Sequence, residues 1–225
     1  MASFSAIQKF AEEYKSSHTK LDILVNNAGL VSPPITKTEQ GIESTTGINY
    51  LGHFFLTHLL KDLIIPVKGR VVVVASNAYK GYKITQDMMA GSKPMIFEPV
   101  PSPGWTEYSR SNTCRVLFAK ELTEKYPELT SVSLHPGVIK TNLARSGSCC
   151  SVMNCILFCF GCCLKSPVEG AQTTLHCATA DMSGCEGMYF VDSKLDPILE
   201  GYASEDLQKR LWEISMAVVD DFLNN

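Results

Sequence analysis

The sequence predicts an α/β fold built on a doubly wound parallel sheet, and three observations carry that prediction. Helical and extended stretches alternate along the chain. The extended stretches are unbroken apolar runs, Val71-Val72-Val73-Val74-Ala75 above all, the pattern of strands buried on both faces of a parallel sheet. Each run stops abruptly at small or polar residues: Asn26-Asn27-Ala28-Gly29, then Ser76, then Pro136-Gly137.

The elements follow in order. Residues 4–17 predict a first helix, because Phe4, Ile7, Phe10, Ala11 and Tyr14 recur at three- and four-residue steps, with Ser3 or Ser5 as its cap. Leu21 to Val25 predicts a short buried strand running into the Asn26–Gly29 turn. Ile42, Ile48, Leu51, Phe55 and Leu59 space out a helix over 39–62, and residues 71–75 make the second strand. Residues 80–105 carry prolines and glycines without periodicity and read as a long loop of the kind that often serves function. A helix over about 107–126, a strand over 131–135, a helix over 166–180, a last short strand over 188–190 and a C-terminal helix over 204–223 complete the order.

Composition narrows the function classes. The chain has 225 residues, 45% of them hydrophobic and 19% charged, enough apolar material for one sizeable core. A net charge of −3 argues against nucleic acid as a partner, since phosphate binding needs surplus Lys and Arg. Nine cysteines, an odd number, fit free thiols in a reducing compartment. Six of them, Cys149, Cys150, Cys155, Cys159, Cys162 and Cys163, crowd into one apolar run. That run is too short to cross a bilayer, which takes roughly 20 apolar residues. It has no interleaved His, so it reads as an apolar lid or an interfacial helix with a membrane-surface contact through 149–164 rather than as a metal site. No secretory signal is evident at the start, so the expected place is the cytoplasm or the cytosolic face of an intracellular membrane. His53, His58, His135 and His176 are read as satisfied structural residues.

Ligands of open parallel sheets sit beyond the carboxyl ends of the strands. Ser76 follows one strand, Tyr108 opens the helix after the long loop, and Asn49 lies in the second helix. A hydroxyl, a phenol and an amide around one crevice suit carbonyl/alcohol interconversion. The phenol passes the hydroxyl proton, the serine polarises the carbonyl oxygen, and the amide holds a water or a helix in place.

These segments resemble the short-chain dehydrogenase/reductases, and among them the retinol-dehydrogenase-like and WW-domain-oxidoreductase-like branch. The resemblance rests on NNAG at 26–29, GINYLGHFFLTHLL with Asn49, VVVVAS ending at Ser76, YSRSNTCRVLFAKEL from Tyr108, HPGVIKTNL with Pro136, Gly137 and Thr141, SPVEGAQTTLHCA, and GMYF. It covers nearly the whole chain as one domain, 1–225. It implies a Rossmann-type sheet and hydride transfer between NAD or NADP and an apolar alcohol or carbonyl, retinoid-, steroid- or lipid-like. It implies that Asn49, Ser76 and Tyr108 belong to the catalytic set, and that Asn27, Ala28 and Gly29 lie beside the adenosine ribose. Pro136, Gly137 and Thr141 would meet the nicotinamide end, and 143–165 would be the substrate lid. An apolar small molecule is the implied substrate, and a homo-oligomer is compatible with the fold.

Two departures accompany the resemblance. The family's N-terminal strand, glycine-rich turn and helix have no counterpart here, so the expected sheet is partial: three strands and the phosphate turn are missing, and Leu21–Val25 becomes an open edge. Four residues after the tyrosine, where the family has a Lys that lowers the phenol's pKa and holds the nicotinamide ribose, this chain has Asn112. Arg115 shares the helix face but stands about 10 Å along the axis, and Lys120 roughly 18 Å, so neither is expected to substitute. The alternative function is therefore a catalytically impaired relative acting as a binding or regulatory protein.

Overall fold

A computed structural model of the chain describes residues 1–31, 37–91, 94–100, 104–139 and 164–224. Five strands form one sheet in the order of the chain: β1 (Ile23–Asn26), β2 (Arg70–Val74), β3 (Thr130–His135), β4 (Tyr189–Val191) and β5 (Lys194–Leu195). The first four run parallel, with Val72 opposite both Val25 and Val132. β5 was not expected. It turns back antiparallel through Asp192 and Ser193, both with positive φ, the two-residue turn whose twist suits a tight hairpin.

The helices account for both faces. The alternation of side chains along β2 sends Val71 and Val73 to one face and Val72 and Val74 to the other. Against the first face pack α1 (Phe4–Ser17), α3 (Gly52–Ile64), α4 (Trp105–Lys125) and α6 (Glu205–Asn224), in a core that includes Phe4, Phe54, Phe55, Leu60, Leu117 and Leu211. Against the second lies α5 (Pro167–Thr179), which contributes Cys177. Burial lifts the thiols of Cys114 and Cys177 to about 12, so both act as small apolar side chains. Ser3 caps α1 through the Ala6 amide, and Ser166 and Glu169 cap α5 reciprocally, as sequence patterns of this kind predict.

Three expectations need correction. The second helix does not start at 39: residues 37–43 form a turn and an isolated bridge, and Glu43 caps a short helix α2 (Ser44–Thr46). A π-helical turn, Gly47–Leu51, joins α2 to α3 and carries Asn49. β1 is not a buried strand. Ile23 and Val25 are each 40% exposed, because β1 is an edge with no neighbour beyond it among the described residues. The stretch 80–105 is no free loop in its described part. Ile84, Met89, Ile96 and Phe97 are buried, Arg110 donates to the carbonyls of Met95 (3.3 Å) and Glu98 (2.8 Å), and Arg210 donates to that of Met89 (3.3 Å).

Candidate active site

In this topology α3 leads into β2 and α4 leads into β3, so the first turns of both helices lie at the carboxyl edge of the sheet. That edge gathers Asn26–Gly29 after β1, Ser76 after β2, Pro136-Gly137 after β3, Asn49 and Tyr108. Open parallel sheets bind ligands here.

The Asn49 amide is a clamp. Its oxygen accepts from the Leu30 amide (2.9 Å), and its nitrogen donates to the Leu30 carbonyl (2.9 Å) and to Ser111 Oγ (3.1 Å). Ser111 in turn donates to the Tyr108 carbonyl (2.8 Å). One buried side chain thus ties the turn after β1 to the start of α4. The π turn puts Asn49 where it can do this, a common use of such turns at sites.

Ser76 has extended backbone and caps the 3₁₀ turn Asn77–Gly81, accepting from the Ala78 amide (3.2 Å). Among the described residues its own proton has no acceptor, so it can be donated into the crevice. Tyr108 is nearly buried at 9% exposure, with the half-exposed Trp105 ring 5.4 Å from its own. Tyr189 on β4, its pKa held up chiefly by burial, donates its hydroxyl to Asn77, the neighbour of Ser76 (3.2 Å).

Asn112 is fully buried. Its nitrogen donates to the Tyr108 carbonyl (2.8 Å), while its oxygen has no donor. An orphaned buried acceptor costs free energy, on the order of 1–3 kcal/mol, unless something supplies a proton to it. Asn27, Ala28 and Gly29 are exposed at the rim. Pro136 is half-buried, and Gly137 has φ +95° with the Lys165 side chain where a Cβ would stand, so no other residue fits without strain. Thr141 and the cysteine run lie outside the described residues.

Arg115 is the residue the sequence argument set aside. It is 4% exposed, and its guanidinium donates to three carbonyls: Asn49, Val74 (2.8 Å) and Ala28. Those carbonyls belong to the π turn, the end of β2 and the turn after β1. A Cβ at Gly29 would stand 3.2 Å from the guanidinium, so a larger residue there would push the arginine back by a few tenths of an ångström. The length of Arg115 lets it reach carbonyls on three other segments, a reach that counting residues along the helix does not register.

The histidines are not all satisfied, contrary to expectation. His53 is 1% exposed, and neither ring nitrogen reaches hydrogen-bond geometry, although the Asn49 carbonyl lies close enough to favour a proton weakly. Burial pushes it well below its ordinary pKa, and the Arg115 charge adds to that. His135 is held down to about 4, by burial first and the Lys165 ammonium second, and its Nδ1 has no partner.

A profile of the family described as short chain dehydrogenase matches residues 1–98. Retinol dehydrogenase 14 of Mus musculus is 36% identical over 97% of the chain. The chain belongs to the short-chain dehydrogenase/reductase family. It falls in the retinol-dehydrogenase-like branch of that family, and the WW domain-containing oxidoreductase of Drosophila melanogaster is 30% identical over 99% of the chain. The chain spans 65% of the mouse relative's length and 54% of the fly relative's. A solved structure of an uncharacterized protein from Mycobacterium paratuberculosis superposes with a TM-score of 0.68 at 25% identity, covering 97% of this chain and 73% of that one. A yeast short-chain dehydrogenase/reductase structure shares the fold alone, with a TM-score of 0.62 at 18% identity, over 90% of this chain and 77% of that one. Among the family's expected positions, the structure brings Asn49, Ser76, Tyr108 and Asn112 to one edge of the sheet, together with the rim of Asn27–Gly29 and Pro136-Gly137.

Proposed function

We propose that this protein is an oxidoreductase that moves hydride between NAD or NADP and an apolar alcohol or carbonyl of retinoid, steroid or lipid type. The observation that carries the reading is the convergence of Ser76, Tyr108 and Asn49 at the carboxyl edge of the sheet, with Asn49 bonded through Ser111 to the Tyr108 backbone. The names of the retinol dehydrogenase relatives support the apolar substrate.

In this reading Tyr108 passes a proton to or from the substrate oxygen, and the free Ser76 proton polarises that oxygen. Asn49 keeps the turn after β1 against α4 and touches no substrate. A nicotinamide, when bound, supplies or accepts the hydride. Two features fit its ribose end. The buried Asn112 oxygen has no donor of its own, so a ribose hydroxyl that reached it would displace nothing, and Asn27, Ala28 and Gly29 stand exposed at the rim after β1. Pro136, Gly137 and Thr141 are assigned to the nicotinamide itself. The described residues contain no glycine-rich turn that opens a helix at this edge, so the diphosphate is not held by a cradle of that kind among them.

Trp105 beside Tyr108 is a built-in donor for fluorescence transfer to NADPH. Transfer that calorimetry confirms, with turnover of a long-chain alcohol falling about 10²- to 10⁴-fold in Tyr108→Phe, is the expected result. A folded chain that binds no dinucleotide overturns the reading. Binding without turnover, unchanged when Lys replaces Asn112, would make the protein a binding or regulatory relative, a role that the neutral Asn112 favours. We also place the apolar run 149–164 against the cytosolic face of an intracellular membrane. Flotation on liposomes should require it, and equal flotation without it rejects that contact.

A further inference from the structure

A buried cation needs a reason. Arg115 is 4% exposed, and its guanidinium meets only backbone carbonyls; among the described residues no carboxylate pairs with it. Arg110, five residues earlier on the same helix and equally buried, has the Glu43 carboxylate at 3.0 Å. Desolvating a guanidinium costs several kcal/mol, and neutral carbonyl dipoles return only part of that. Burial lowers the proton affinity of Arg115, and the opposing influence is the charge of Tyr108. A guanidinium still keeps its proton at neutral pH.

The geometry explains how a residue two helical turns from Tyr108 can serve it. Tyr108, Asn112 and Arg115 lie at i, i+4 and i+7, one face of α4. From the Arg115 Cα to the level of the Asn112 Cα is three residues, about 4.5 Å of helical rise. An extended arginine leaning toward the N-terminus covers that distance. The carbonyls it reaches, those of Val74 and Asn49, belong to the strand and turn that carry Ser76 and the Asn49 amide.

We propose that Arg115 is the cation of this site: a positioning residue that supplies to the Tyr108 phenol the positive charge Asn112 cannot, while pinning the carbonyls of Ala28, Asn49 and Val74. The inference rests on the oxidoreductase reading, which gives Tyr108 its proton to move. The titratable groups facing these two side chains are His53 on α3, kept neutral by burial, and Tyr189 on β4.

The test follows the tyrosinate absorbance that belongs to Tyr108, taken as each protein minus its own Tyr108→Phe partner, and needs neither dinucleotide nor substrate. In Arg115→Gln that absorbance should develop at least one pH unit higher than in the parent. Arg115→Lys should stay within half a unit, and Asn112→Lys added to Arg115→Gln should bring it back. A merely structural arginine predicts no return, because an ammonium at 112 does not replace three carbonyl contacts. An unmoved profile in folded Arg115→Gln overturns the proposal, as does failure of Asn112→Lys to restore it. If Arg115→Gln does not fold, Asn112→Lys alone decides: with the charge already present it should move the profile by less than half a unit, and a full unit overturns the proposal. The two readings separate cleanly. A shifted profile in a protein that binds no dinucleotide sinks the oxidoreductase reading and leaves the Arg115–Tyr108 pairing standing, whereas turnover with an unmoved profile does the reverse.

Discussion

Arg110 and Arg115 sit five residues apart on α4, are 1% and 4% exposed, and are treated oppositely by the fold. Around Arg110 the accounts close. Its Nη2 meets Glu43 at 3.0 Å, its Nε meets Thr46 Oγ1 at 3.2 Å, and its Nη1 donates to the Met95 and Glu98 carbonyls. Glu43 also accepts from the Thr46 amide and hydroxyl, both at 2.8 Å, and so caps α2. A paired, fully bonded ion couple of this kind fixes one arrangement: it fastens the 80–105 segment and α2 to α4. Around Arg115 the charge is left open, and Asn112 Oδ1 on the same helix face and both nitrogens of His53 also lack partners. Unmet buried polar groups are costly and concentrate where a ligand or a reaction uses them. One helix thus carries an arginine paired with a carboxylate and an arginine held by carbonyls alone, separated by little more than a turn.

The largest expected effect breaks the closed cluster. Glu43→Ala leaves Arg110 buried without its carboxylate and removes the α2 cap, so urea unfolding should show a loss of about 3–5 kcal/mol. The candidate site should keep its Tyr108 absorbance profile in the protein that remains folded. A loss below about 1 kcal/mol would mean that the pair is no more than a bystander, and the contrast with Arg115 would lose its structural half.

A smaller effect sharpens the picture of the crevice edge. His135 has its folded pKa lowered to about 4 from an ordinary 6.5, by burial and then by Lys165. Between these values the unfolded chain binds the extra proton, so stability is present above about 6.5 and declines as pH falls toward 4. The decline from this residue should reach about 2–3 kcal/mol, and His53, shifted the same way, adds to it. In His135→Gln a denaturant series across pH 4–7 should be flatter by that amount. Identical slopes in parent and variant would show that the edge tolerates the proton.

Much of this was written in the linear chain. The period of Phe4, Ile7 and Ala11, the unbroken valines of β2 and the stops at Asn26 and Ser76 determine helices, parallel strands and the edge where a site must lie, because each depends on neighbours within a few residues. The open edge at β1 was legible from the missing strands, whereas the hairpin to β5 and the packed state of 80–105 were not, since they depend on what lies across the sheet or on an arginine thirteen residues beyond Phe97. The same limit hid the role of Arg115. Counting residues along a helix gave a distance between backbones, whereas the contact is made by a long side chain that folds back to carbonyls 41 and 87 positions away in sequence. The sequence by itself placed the phenol, the hydroxyl and the neutral Asn112 on the right elements. Only the tertiary structure decided which charge stands beside them, because desolvation and reach are properties of the assembled core and not of any local run of residues.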